Sequence, residues 1–139
     1  MVDYVNIHVY TDGACRKNPG PAAIGIVFLS AKGEFIAEHK ECIGNSTNNR
    51  TEYTAIIRAL ELSTKYCRKK VSIFCDSELV INQINGTYAI KNDELRVLCI
   101  LVKDREKLYD SVVYNHKPRT NRFIKKADKL CNEALDGAY

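Results

Sequence analysis

From Tyr4 to Thr11 the chain alternates. Val5, Ile7 and Val9 stand against Asn6, His8 and Tyr10, the period of two that marks a strand with one face in a core. Asp12-Gly13 interrupts the pattern, and a stretch rich in Gly13, Asn18, Pro19, Gly20 and Pro21 reads as a turn. A second apolar run, Ala23 to Leu29, leads through Ala31-Lys32-Gly33 to a third strand-like run, Glu34 to Ile43. Loops this short imply antiparallel neighbours, because a parallel crossover takes about a dozen residues or more.

Beyond Gly44 the period changes. Ala55, Ile56, Ala59 and Leu60 recur at spacings of three and four, predicting a helix from about Asn48 to Tyr66 that Arg68-Lys69-Lys70 would close with cations. Val71 to Cys75 reads as a fourth strand, parallel to one already placed and ending at Asp76-Ser77. Ser77 is a candidate cap for a short helix, Glu78 to Ile84, broken at Asn85-Gly86. Leu95, Leu98, Cys99 and Val102 predict a helix over 93–108, Val112 to Asn115 a fifth strand, and Phe123 to Ala134 a closing helix. No repeat, linker or low-complexity tract divides the chain, so residues 1–139 are expected to form a single domain. The expected architecture is α/β, a mixed open sheet with helices on both faces.

Composition refines this picture in three ways. Forty-five per cent hydrophobic content in 139 residues is enough for a real core, and no apolar run approaches the ~20 residues of a membrane span. With no signal-peptide pattern, a cytoplasmic protein without a membrane partner is expected. The formal charge of +4 permits a polyanionic partner without requiring one. Six cysteines (Cys15, Cys42, Cys67, Cys75, Cys99, Cys131) form no C-x-x-C pair, which argues against zinc and disulfides and for small buried hydrophobes.

The chemistry lies in the acids. Asp12 ends the first strand, Asp76 ends the fourth, and Glu52 falls three and four residues before Ala55 and Ile56, on the inward side of its helix. Asp128 falls within the closing helix's stripe of Ile124, Ala127, Cys131, Ala134 and Leu135. Each acid alone reads equally well as a turn, cap or dipole partner. Four in one crevice would repel at roughly 4 kcal/mol per pair at 4 Å with an effective dielectric of about 20, so a cation must offset them. Oxygen donors without a His or Cys cluster favour Mg2+ or Mn2+, and two such ions sharing carboxylates suit phosphodiester cleavage.

Thr11-Asp12-Gly13-Ala14, Asn18-Pro19-Gly20-Pro21, Thr47-Asn48-Asn49-Arg50-Thr51-Glu52, Asp76-Ser77-Glu78-Leu79-Val80 and Ala127-Asp128-Lys129-Leu130 occur in this order. In these motifs, across nearly its whole length, the chain resembles the type 1 ribonuclease H family. The resemblance implies a five-stranded mixed sheet in order 3-2-1-4-5 with strand 2 antiparallel. It also implies endonucleolytic cleavage of the RNA strand of an RNA/DNA hybrid, leaving 3′-hydroxyl and 5′-phosphate ends. Asp12, Glu52, Asp76 and Asp128 match the family's catalytic, metal-binding acids, which hold two Mg2+ or Mn2+ ions per site.

The same resemblance aligns Cys15 and Asn18 with contacts to the RNA minor groove, Thr47, Asn48 and Asn49 with contacts to the DNA strand and groove, and Glu78 with a 2′-hydroxyl contact. Thr47-Asn48-Asn49 reads alternatively as a plain helix N-cap. Between Gly86 and Leu95 the chain lacks room for the basic helix of many bacterial relatives and resembles the compact archaeal and plant-like branch. Affinity then falls to Arg16, Lys17, Arg50, Lys117, Arg119, Arg122, Lys125 and Lys126. His116 matches a histidine that assists catalysis in relatives, although it stands twelve residues before Asp128. Arg119 or Arg122 is the alternative cationic helper.

The expected partner is an RNA/DNA hybrid, with duplex RNA left open, acted on by a monomer without an obligate protein partner. Three other readings remain: another metal-dependent nuclease or strand-transferase of the same fold, a non-catalytic hybrid-binding module, and a phospho-accepting signalling domain. The last needs an all-parallel sheet, and the hairpin between Ala23 and Ile43 argues against it.

Overall fold

The computed structural model describes residues 4–138. Its elements, in chain order, are β1 (Tyr4–Cys15), β2 (Gly20–Ser30), β3 (Phe35–Ser46), α1 (Asn48–Ser63), β4 (Cys67–Cys75), α2 (Glu78–Ile84), α3 (Asp93–Glu106), β5 (Ser111–His116) and α4 (Arg122–Ala138). The sheet order is β3-β2-β1-β4-β5. β2 runs antiparallel to both β1 and β3, whereas β4 runs parallel to β1 and β5. Hairpins joined by short turns make the first half, and helical crossovers supply the parallel half.

β2 is apolar along its length because both of its faces are covered. Ile24, Ile26 and Phe28 join the large core with α1, while Val27 and Leu29 pack with Ile124, Ala127 and Leu130 of α4. α1, α2 and α3 lie on one face of the sheet and α4 on the other, where it packs on β1, β2 and β3.

Four expectations need correction. β1 does not stop at Asp12: Gly13, Ala14 and Cys15 keep pairing with Ile24, Ala23 and Ala22, so Asp12 lies inside the hairpin, past the last β1–β4 pair at Tyr10 and Phe74. Arg68-Lys69-Lys70 does not close α1, which ends at Ser63; these cations open β4, because a turn at residues 64–66 already reverses the chain. Cys42 is exposed and Cys15 half-buried, and each thiol donates to a backbone carbonyl, Ala134 for Cys42 and Ser46 for Cys15. Asp128 is exposed, because Ala127, Leu130 and Cys131 carry the buried stripe of α4 and leave it on the flank.

Two glycines set the distances between layers. A Cβ on Gly13 would meet Thr51 Cγ2 at 2.6 Å, so only glycine lets β1 approach the first turn of α1 so closely. A Cβ on Gly25 would fall on the Ala127 carbonyl oxygen, which brings α4 down onto β2 opposite Asp12.

Candidate active site

Asp12, Glu52, Asp76 and Asp128 line one open cleft of about 470 Å³ at the carboxyl ends of β1 and β4. Each comes from a different element. Asp12 is on β1, Glu52 is in the first turns of α1, Asp76 is the residue after β4, and Asp128 is on the flank of α4. Asp12 and Glu52 are buried, Asp76 is half-buried, and Asp128 stands at the rim.

Glu52 is held from two sides. Its Oε1 accepts the Gly13 backbone N–H at 3.2 Å, and its Oε2 accepts the Cys75 thiol at 3.3 Å. Burial, and then the charge of Glu52, raise the Cys75 pKa well above the usual thiol value, so Cys75 acts as a protonated donor. One oxygen each of Glu52 and Asp76 and the Cys75 sulfur lie within 4.8 Å of one another. With the thiol protonated, the atoms that face a cation are carboxylate oxygens, a donor set suited to a hard divalent ion.

The electrostatics point the same way. Burial first, and then the charges of Glu52, Asp76 and Asp128, push the Asp12 carboxyl far above its ordinary range. Burial and then Asp76 push Glu52 up to about 7. A pair of carboxyls that resists ionisation in this way is poised to exchange its proton for a metal ion. The nearest cation is Arg119, whose Nε stands 3.6 Å from Asp76 Oδ2 and whose side chain lines the cleft while staying 91% exposed.

His116 ends β5 beside Cys75, with Nδ1 4.0 Å from Glu78 Oε1, and is not among the residues lining the cleft. Arg122 lies over the Phe123 ring, 4.7 Å from its centroid, and is not among the residues lining the cleft. Arg16 is tied to Asp136 near the end of α4. Cys15, Asn48 and Asn49 do line the cleft.

Thr47 is the N-cap of α1, accepting the Arg50 N–H at 3.3 Å, and Asn18 Oδ1 accepts the Asn48 N–H at 3.1 Å. Asn18, Thr47, Asn48 and Asn49 border a second hollow with Asn92, which caps α3 and accepts the Leu95 N–H at 3.0 Å. The amino ends of two helices thus meet in a groove continuous with the acidic cleft through Asn48 and Asn49. Asn92 was not singled out in the sequence. Its available signal was an Asn followed by Asp93, Glu94 and then Leu95, the composition of a capped first turn.

Among the described residues, no helix is long and apolar enough to cross a membrane. A family model described as RNase H matches residues 5–136. The chain is 39% identical over 132 residues to a ribonuclease HI of Halobacterium salinarum, covering 95% of this chain and 65% of that relative. It is 31% identical to a bifunctional protein of Mycobacterium tuberculosis, of which it spans 36%. The crystal structure of RNase H1 from Halobacterium salinarum superposes with a TM-score of 0.90 at 38% identity, over 95% of this chain and 98% of that one. LC11-RNase H1 in complex with RNA/DNA hybrid superposes with a TM-score of 0.87 at 39% identity, again over 95% and 98%.

Proposed function

This chain belongs to the ribonuclease H family, and from that premise we propose that it is an endoribonuclease hydrolysing the RNA strand of RNA/DNA hybrids. The observation that carries the reading is the set of four acids, drawn from four separate elements onto one cleft in a chain whose family is divalent-metal dependent. LC11-RNase H1, whose structure holds an RNA/DNA hybrid, supports the substrate class.

Asp12, Glu52, Asp76 and Asp128 are the residues that would hold the ions, two Mg2+ or Mn2+ per site. When bound, such ions supply an activated water and neutralise charge on the leaving oxygen. The protein's own part is positioning. The Gly13 amide and the Cys75 thiol fix both oxygens of Glu52, and the close fits at Gly13 and Gly25 set the heights of α1 and α4 over the sheet. The groove of Asn18, Thr47, Asn48, Asn49 and Asn92 offers side-chain amides and the positive ends of two helix dipoles to a phosphate of the uncut strand, while Cys15 borders the cut strand. Arg119, rather than His116, is the cation placed to meet charge beside Asp76. A 2′-hydroxyl contact is what separates RNA from DNA in such a groove.

The test is a strand-labelled panel in Mg2+: hybrid, duplex DNA, duplex RNA and single-stranded RNA. Internal cuts in the RNA of the hybrid, with 5′-phosphate ends and intact DNA, are expected. Cleavage of duplex DNA with hybrid untouched would replace this reading with a DNA-directed nuclease of the same fold.

A further inference from the structure

β4 opens on Arg68-Lys69-Lys70, cations that hybrid cleavage leaves without a role. Alternation along the strand puts Lys70 on the same face as Ser72 and Phe74, and the parallel register places His8 of β1 and Val113 of β5 on either side of Ser72. This is the face that α4 covers over β1, β2 and β3. Beyond it Ser72 and Phe74 of β4 are still buried, while Lys70 of β4 and Val113 of β5 stand exposed, Val113 at 39%.

This part of the face has an aromatic floor. The His8 ring lies 5.3 Å from that of Phe74, Phe74 stacks on Tyr10 at 4.6 Å, and Tyr10 meets Phe123 at 5.0 Å. Lys117 Nζ lies 5.6 Å from the Phe74 centroid, and Arg122 lies over Phe123. Burial, and then the charges of Lys70 and Lys117, hold the His8 imidazole below its usual range, so both lysines bear on this surface. Among the described residues, no acid lies within ion-pair distance of Lys70, Lys117 or Arg122. Lys40, Arg58, Lys103 and Arg105, by contrast, are all paired. The band is also continuous with the cleft, because the Lys117 N–H donates to the carbonyl of Cys75, the residue before Asp76.

We propose that this face holds a single-stranded extension of the RNA strand as it leaves the cleft, with phosphates on Lys70, Lys117 and Arg122 and unstacked bases against His8 and Val113. The inference rests on the hybrid-cleaving reading for its source of RNA. Charge and continuity select the occupant: unpaired cations face a polyanion, and the strand nearest Asp76 is the one that is cut. A duplex is too stiff to leave the groove and follow the sheet, whereas a single strand bends freely.

The test compares kcat/KM for a blunt hybrid with that for four hybrids extended at the 5′ or 3′ end of the RNA or of the DNA. One RNA extension is expected to raise kcat/KM about tenfold at low salt. Its log–log salt slope should be steeper by roughly 2, at about 0.7 for each of three single-strand phosphates. Lys70→Glu, and separately Val113→Glu, should abolish that gain and leave the blunt hybrid unchanged. No gain from either RNA extension, a gain from DNA extensions alone, or an equal loss on blunt hybrid would overturn the proposal. Anisotropy of a labelled single-stranded RNA decides the matter even if no hybrid is cut. Binding that Lys70→Glu removes supports the face, and equal binding by both proteins, or binding of polyglutamate in place of RNA, rejects it.

Discussion

The carbonyl of Ala127 rests on Gly25, in the space where any other residue would carry a Cβ. Gly25 is the β2 partner of Asp12, and Asp128 follows Ala127, so one missing side chain sets the spacing between two acids 116 positions apart. The obstacle is backbone rather than a flexible side chain, so α4 has to move if Gly25 gains a methyl group.

Gly25→Ala is therefore expected to cost about 1–3 kcal/mol of stability, the usual range for overpacking, and to reduce hybrid cleavage at least tenfold by lifting Asp128. Gly137→Ala, where nothing lies within 4 Å of the added atom, should stay within about 1 kcal/mol of the parent. Thermal melts and kcat measured on both variants check this; equal behaviour would remove Gly25 from the account.

Asp12→Asn and Asp76→Asn should each lower cleavage by roughly a thousandfold or more, equivalent to about 4 kcal/mol at the transition state. In EDTA, Asp12→Asn should melt above the parent, because an amide relieves the repulsion that burial imposes on the native carboxylate. Activity and metal-free melting temperature read together separate lost chemistry from lost fold.

The acid pair also gives the metal-free protein a pH dependence with a definite sign. The folded pKa values of Asp12 and Glu52 lie above the unfolded ones, so the native state binds more protons and stability is greatest below about pH 4 as far as these groups go. That contribution is lost as pH rises, through about 7 for Glu52 and about 10 for Asp12. Each tenfold change in proton affinity corresponds to about 1.4 kcal/mol. Urea melts in EDTA should weaken from pH 5 to pH 9, and saturating Mg2+ should flatten the trend; a metal-free trend of opposite sign would contradict the assignment.

Much of this was legible in the chain. Val5-Ile7-Val9 announced β1, and helical spacing and the end of β4 marked Glu52 and Asp76 as candidates for one crevice, whereas Asp12, read as a strand end, lies within the β1–β2 hairpin. Asp128 was placed near its partners but on the wrong side of the stripe, because periodicity locates a buried arc without fixing where its edge falls. Arg68-Lys69-Lys70 misled because cations suit both a helix end and the exposed face of a strand near a sheet edge. The roles of Gly13 and Gly25 could not be read, since a close approach between distant segments leaves no local pattern.

Arg119→Ala should reduce kcat/KM on hybrid about tenfold, and His116→Ala by less than threefold, because Arg119 alone of the two lines the cleft and reaches Asp76. Steady-state kinetics at two salt concentrations check the order. The reverse order would return the helper role to His116.

Cys75→Ala removes the donor to Glu52 Oε2 while leaving a small apolar residue. Glu52 should then hold its proton more tightly, moving the acid limb of the pH–rate profile upward by about half a unit to one unit, with kcat at high pH nearly intact. An unmoved acid limb would mean that the thiol does not tune the carboxylate.

The most direct measurement is anomalous diffraction from crystals of the protein soaked in Mn2+ with a bound hybrid, using Asp128→Asn to slow turnover. Manganese peaks at coordination distance, about 2.1 Å, from Asp12, Glu52 and Asp76, with a phosphate of the RNA strand between the ions, are the expected result. Manganese bound away from these oxygens, or a hybrid seated with its DNA strand at Asp76, would contradict the account.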